Sequence, residues 1–173
     1  DALPICTLNQ ACLTGSLEVV KYFIEQYNLT PELNGSTIQN ACISGNLNLV
    51  KYLIEDKKAN YHYFHKERYG DFMDESLKNF TFPSGFLDDS TLASAVNSDN
   101  IELIKYLILN KNLQVEEYDY LALKTALINN CKSYSYLITL SECTNYLKNN
   151  AQDIFNKVIV KRNLNEDKKN KNK

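Results

Sequence analysis

The stretch Gly15 to Glu25, Gly-Ser-Leu-Glu-Val-Val-Lys-Tyr-Phe-Ile-Glu, comes back at Gly45 to Glu55 as Gly-Asn-Leu-Asn-Leu-Val-Lys-Tyr-Leu-Ile-Glu. It returns at Asp99 to Leu109 as Asp-Asn-Ile-Glu-Leu-Ile-Lys-Tyr-Leu-Ile-Leu, and a weaker copy ends in Ser135-Tyr136-Leu137-Ile138. The aligned tyrosines Tyr22, Tyr52, Tyr106 and Tyr136 stand 30, 54 and 30 residues apart. Self-similarity at such a period marks a solenoid, in which one unit cannot bury its apolar face alone and stacks on the next. The expected fold class is therefore all-α, a helix-turn-helix solenoid with one long insertion after the second unit.

Each unit reads as two helices. Leu8, Ala11 and Cys12 fall on one face of a helix from Thr7 to Thr14, with Leu3-Pro4-Ile5 as the end of an incoming loop or strand. Gly15 stops that helix and Ser16 caps a second, Leu17 to Gln26. Its apolar set, Leu17, Val19, Val20, Phe23 and Ile24, is too wide for a single-sided surface helix and suits one sandwiched in a stack. Asn28 to Gly35 is a turn-rich connector. The pattern then repeats: Ser36 as cap, Ile38, Ala41 and Cys42 on one face, Gly45 as stop, Asn46 as the next cap and a helix from Leu47 to Glu55. Ser90 caps a third unit, with helices from Thr91 to Ser98 and from Ile101 to Leu109. Leu121 to Asn129 and Tyr134 to Leu140 make a degenerate fourth, and Thr144 to Val160 reads as a closing helix.

These residues resemble the ankyrin repeat. Leu8, Ala11, Gly15, Leu17, Val19, Val20 and Lys21 fit its pattern, as do Ile38, Ala41, Gly45, Leu47, Leu49, Val50 and Lys51. In the third copy Leu92, Ala95, Ile101, Leu103, Ile104 and Lys105 fit. The family's Thr-Pro pair is replaced by Cys6-Thr7, Ser36-Thr37 and Ser90-Thr91, its histidine by Asn9, Gln39 and Ala93, and one stop glycine by Asp99. The resemblance implies a repeat domain over residues 1–160, with units at about 6–35, 36–56, 90–112 and 119–142 and an insertion at 57–89, while residues 161–173, polar, charged and almost without apolar side chains, read as a disordered tail or linker. It also implies that the two residues before each stop face a concave groove that touches partners. Here these are Leu13 and Thr14, Ile43 and Ser44, Asn97 and Ser98, and Ile128 with Asn129. The connector tips Leu29, Glu32 and Leu33 are further contact candidates. Leu13, Ile43 and Ile128 would form an apolar row, serving either a partner or a covering segment of the same chain. The repeated tyrosines stand where the family has leucine, which points to packing rather than to a base-stacking platform.

The chemistry-bearing motifs are few. The chain has five glycines and no phosphate-cradling loop or nucleophile elbow. His62-x-x-His65 hints at a metal pair, but Tyr63 stands where a zincin helix needs glutamate. No metal, cofactor or catalytic group is therefore assigned. A net charge of −2 gives no bias towards nucleic acid, and no apolar run is long enough to span a bilayer. Five cysteines without a Cys-x-x-Cys pair suit a reducing compartment, cytoplasmic or nuclear. The aromatic-rich insertion either folds back as a cover or projects as a binding element. The expected function is non-catalytic protein–protein recognition by a monomer cut from a longer chain. The alternative is a structural spacer in a larger protein whose activity lies elsewhere.

Overall fold

A computed structural model of the chain describes residues 2–30, 35–62 and 90–150, and among these the secondary structure is helical, with no strand. The elements are α1 (Ala2–Thr14), α2 (Leu17–Tyr27), α3 (Gly35–Ser44), α4 (Leu47–Lys51), α5 (Thr91–Asn97), α6 (Ile101–Lys105), α7 (Glu117–Asn129), α8 (Tyr134–Leu137) and α9 (141–150). Helices α4 and α6 continue into wider π-helical turns, Tyr52–Asp56 and Tyr106–Asn110. The insertion beyond residue 62, the tips Glu32 and Leu33, residues 151–160 of the expected closing helix and the 161–173 tail lie outside the described residues.

Consecutive helices pack as four pairs, α1 with α2, α3 with α4, α5 with α6 and α7 with α8. The first helices of the pairs lie side by side, α1 on α3, α3 on α5 and α5 on α7. The 54-residue step between the second and third tyrosines does not interrupt this layer. One contiguous core runs through all four pairs, with Leu8, Ile38, Leu49, Leu53, Leu103, Leu107, Leu123 and Leu137 buried in it. Cys12 and Cys42 are fully buried in the same core as small apolar side chains.

The four stop positions share one backbone conformation. Gly15, Gly45, Asp99 and Asn130 all have positive φ, between 55° and 75°. Glycine takes this left-handed state without a Cβ penalty. At Gly45 space demands it too, because a Cβ there would sit 3.1 Å from Ser98 Cβ. At Asp99 a long-range bond accompanies the strained backbone: its Oδ1 accepts the Ser133 backbone N–H at 3.1 Å, just ahead of α8.

Caps also tie one pair to the next. Asn46 Oδ1 accepts the Leu49 N–H, while its Nδ2 donates to the Gly15 carbonyl of the preceding pair at 2.8 Å. Asn100 does the same one pair later, accepting from Glu102 and Leu103 and donating to the Gly45 carbonyl at 2.7 Å. Ser16 occupies the equivalent position ahead of α2 but makes no side-chain cap bond.

Several boundaries differ from those expected. Helix α1 starts at Ala2, so Leu3-Pro4-Ile5 is neither loop nor strand. Pro4 lies in the first turn, where its missing N–H has no partner to lose. Ser36 lies inside α3, which starts at Gly35, instead of capping it. Helix α7 starts at Glu117, α8 ends at Leu137 and α9 starts at 141. Ser90 caps α5 as expected, accepting the Ala93 N–H at 3.1 Å.

Candidate functional site

The last turns of α1, α3, α5 and α7 bring Leu13, Ile43, Asn97 and Ile128 to equivalent places on adjacent helices. Leu13 is exposed, at 39% of its surface, and Ile43 is half-buried. Ile128 is half-buried against Ala93 and Leu121. Asn97 Oδ1 accepts from Asn129 Nδ2 at 2.7 Å, which bridges α5 and α7, the first helices of the third and fourth pairs. The neighbouring hydroxyls are committed to backbone: Thr14 donates to the Ala11 carbonyl, Ser44 to Ala41 and Ser98 to Ala95, at 2.7 to 2.8 Å. Ser44 and Ser98 also accept the N–H of the following cap asparagine. The outward apolar part of the row is thus Leu13 and Ile43, with an asparagine bridge beyond them. Leu29, expected at a free connector tip, is half-buried against the core, and its N–H closes α2 on the Ile24 carbonyl.

On the second helices, lysines and tyrosines form a ladder that runs from pair to pair. Lys21 Nζ stands 5.3 Å from the Tyr52 ring centre, Lys51 stands 5.4 Å from Tyr106, and Lys105 stands 5.8 Å from Tyr136. Each lysine covers the tyrosine of the following pair, worth about 0.5–1 kcal/mol per contact at exposed sites. At each of these places a lysine covers the tyrosine ring, and among the described residues the Tyr52 hydroxyl is buried without a hydrogen-bond partner. The Lys-Tyr doublets of the first three units are the sequence signal for this ladder, but the pairing lies between units. Tyr22 corrects the expectation that the repeated tyrosines are core: it is 59% exposed, against 7% for Tyr106, because the described residues place no preceding pair over it.

Between the second and third pairs the ladder gains a clasp. The Tyr106 hydroxyl donates to Glu55 Oε1 at 2.8 Å, and Lys111 Nζ lies 3.0 Å from the same oxygen. The Tyr106 hydrogen bond, then Lys111, holds the Glu55 carboxyl below its usual range. Burial, then the bond to Glu55, pushes the Tyr106 phenol up. A lowered carboxyl contributes stability that is present above its unfolded pKa and lost as pH falls. A raised phenol contributes stability that is present below about pH 10 and lost as pH rises. Glu55→Gln should therefore leave a melting temperature that falls less than that of the unaltered chain between about pH 5 and pH 3. The effect is small, since Glu55 faces solvent. Thermal melts across that range check it, and parallel curves would contradict it.

The remaining chemistry is sparse. Burial pushes the Cys12 thiol up to about 12, and burial with Glu116 and Glu142 nearby pushes Cys143 up to about 11. Cys42 and Cys131 are shifted upward too, by burial first. These thiols stay protonated at neutral pH and are poor nucleophiles. His62 is exposed and its ring lies against Tyr61, while His65 is outside the described residues. Among the described residues no group of three or more His, Cys, Asp and Glu side chains gathers as a metal site. Among them too, no helix is long and apolar enough to cross a membrane. No family model, curated protein or solved structure matches the chain.

Proposed function

We propose that the chain is a divergent ankyrin-like solenoid that acts as a non-catalytic protein-interaction module. Its partner would lie along the ends of the first helices, anchored on Leu13 and Ile43. The observation that carries this reading is the exposure of Leu13 beside half-buried Ile43, at a turn whose hydroxyls are already bonded to backbone. Apolar side chains on a surface that is rigid before binding lose little conformational freedom when a partner arrives. The cysteines, all without disulfides, fit a reducing compartment, cytoplasmic or nuclear.

Leu13→Asp should change stability by under about 0.5 kcal/mol, because the side chain is largely outside the core. The same change should abolish capture of whatever protein the unaltered chain retains from a lysate. A large loss of stability would place Leu13 in the core, and unchanged capture would remove the row as the binding site. A spacer role is the second reading. It is favoured by the Asn97–Asn129 bridge and by Ile128 packing on its own chain, which leave the far half of the row internally satisfied.

A further inference from the structure

We propose that the leading face of the first helix pair, centred on Val19 and Tyr22 of α2, is a docking surface for a further helix pair of the same repeat type, joined in register ahead of α1. The inner pairs serve as templates for what covers it. Val19 is 43% exposed, whereas its counterparts Leu49 and Leu103 are fully buried. Tyr22 is the most exposed tyrosine of the ladder, whereas Tyr106 is buried beneath Lys51. Thr7 is exposed on α1, whereas Thr37 and Thr91 are buried.

A polar feature points the same way. Asn46 and Asn100 each reach back from their cap position to the stop carbonyl of the preceding pair. Ser16 stands at that position and its side chain makes no cap bond. Two inner interfaces thus define the occupant: an apolar residue against Val19, a lysine over Tyr22, and a left-handed stop residue whose carbonyl faces Ser16. The other end of the array does not share this bareness. There α9 covers the fourth pair, with Cys143 fully buried, the Tyr146 ring stacked 4.0 Å from Tyr120 and Lys124 Nζ 5.5 Å from the Tyr146 ring. The described array is therefore closed at its trailing end and open at its leading one. This inference rests on the repeat reading but uses none of the residues of the groove row, so either can fail alone.

The test inserts a second copy of residues 6–35, one full 30-residue period, ahead of the original copy in the full chain. The added copy carries Tyr22→Phe, so that only the original Tyr22 reports. The melting temperature should rise by roughly 5 °C or more, as a nearest-neighbour interface is gained. Oxidative footprinting of the original Tyr22 should slow several-fold, towards the rate of Tyr106. Lys21→Glu in the added copy should restore part of the lost reactivity. The proposal is overturned if the added copy stays unstructured by circular dichroism. It is equally overturned if Tyr22 reactivity is unchanged, whatever the melting temperature does. It also falls if the original chain sediments as a dimer that Tyr22→Glu disperses, since the face would then take a second copy instead.

Discussion

Gly45→Val is expected to cost about 3–4 kcal/mol, a large share of the roughly 5–15 kcal/mol that holds a domain folded. Two terms combine. Gly45 has φ +73°, and a left-handed backbone costs an L-residue about 1–2 kcal/mol, with a β-branched side chain at the upper end. The new Cβ would also meet Ser98 Cβ at 3.1 Å, across the junction of the second and third pairs. Overpacking of that kind costs about 1–3 kcal/mol. Urea denaturation read by circular dichroism measures the sum. Gly45→Asn separates the terms, since asparagine tolerates the backbone but still carries the Cβ. Gly45→Asn should fall between the wild type and Gly45→Val, and a neutral valine would mean that neither constraint is present.

The second large effect is expected at Asn100. Its Oδ1 accepts two N–H groups at the start of α6, and its Nδ2 donates to the Gly45 carbonyl. Asn100→Ala removes a helix cap, worth about 1 kcal/mol. It also leaves a carbonyl without its partner between two packed pairs, worth about 1 kcal/mol or more. A loss of about 2–3 kcal/mol follows. Ser16→Ala is the internal control, because Ser16 makes no side-chain cap bond, and it should be near neutral. Equal losses at both positions would show that the bond between pairs contributes nothing.

Much of the fold was legible in the sequence because its determinants are local and repeated. The Leu8, Ala11, Cys12 spacing and its copy at Ile38, Ala41, Cys42 mark the buried stripes of α1 and α3. Asp99 could be read as a stop because aspartate tolerates the left-handed state. Its bond to Ser133, which explains why glycine is not used there, joins residues 34 apart and has no local signature. The start of α1 lies ahead of Pro4, within the expected incoming segment, because a proline in a first turn loses no hydrogen bond. The exposure of Tyr22 has no local signature, because the same residue in the same local pattern is buried or exposed according to whether another pair lies over it. The groove row was drawn from resemblance alone. Its division into outward apolar side chains and hydroxyls bonded to backbone needed the geometry of the helix ends.

The central structural claim is that the second helix pair rests directly on the third, so that the stack is continuous across the long insertion. A double-mutant cycle of Gly45→Ala with Ser98→Gly tests it most directly. Each change alone destabilises: the first through backbone strain and crowding, the second through loss of the bond that the Ser98 hydroxyl donates to the Ala95 carbonyl and of the one it accepts from the Asn100 N–H. In the pair, removing the Ser98 side chain relieves the crowding at position 45. The combined loss should then be smaller than the sum of the single losses by about 1 kcal/mol. Losses that add to within about 0.3 kcal/mol would mean that the two positions do not touch, and that the stack breaks at the insertion.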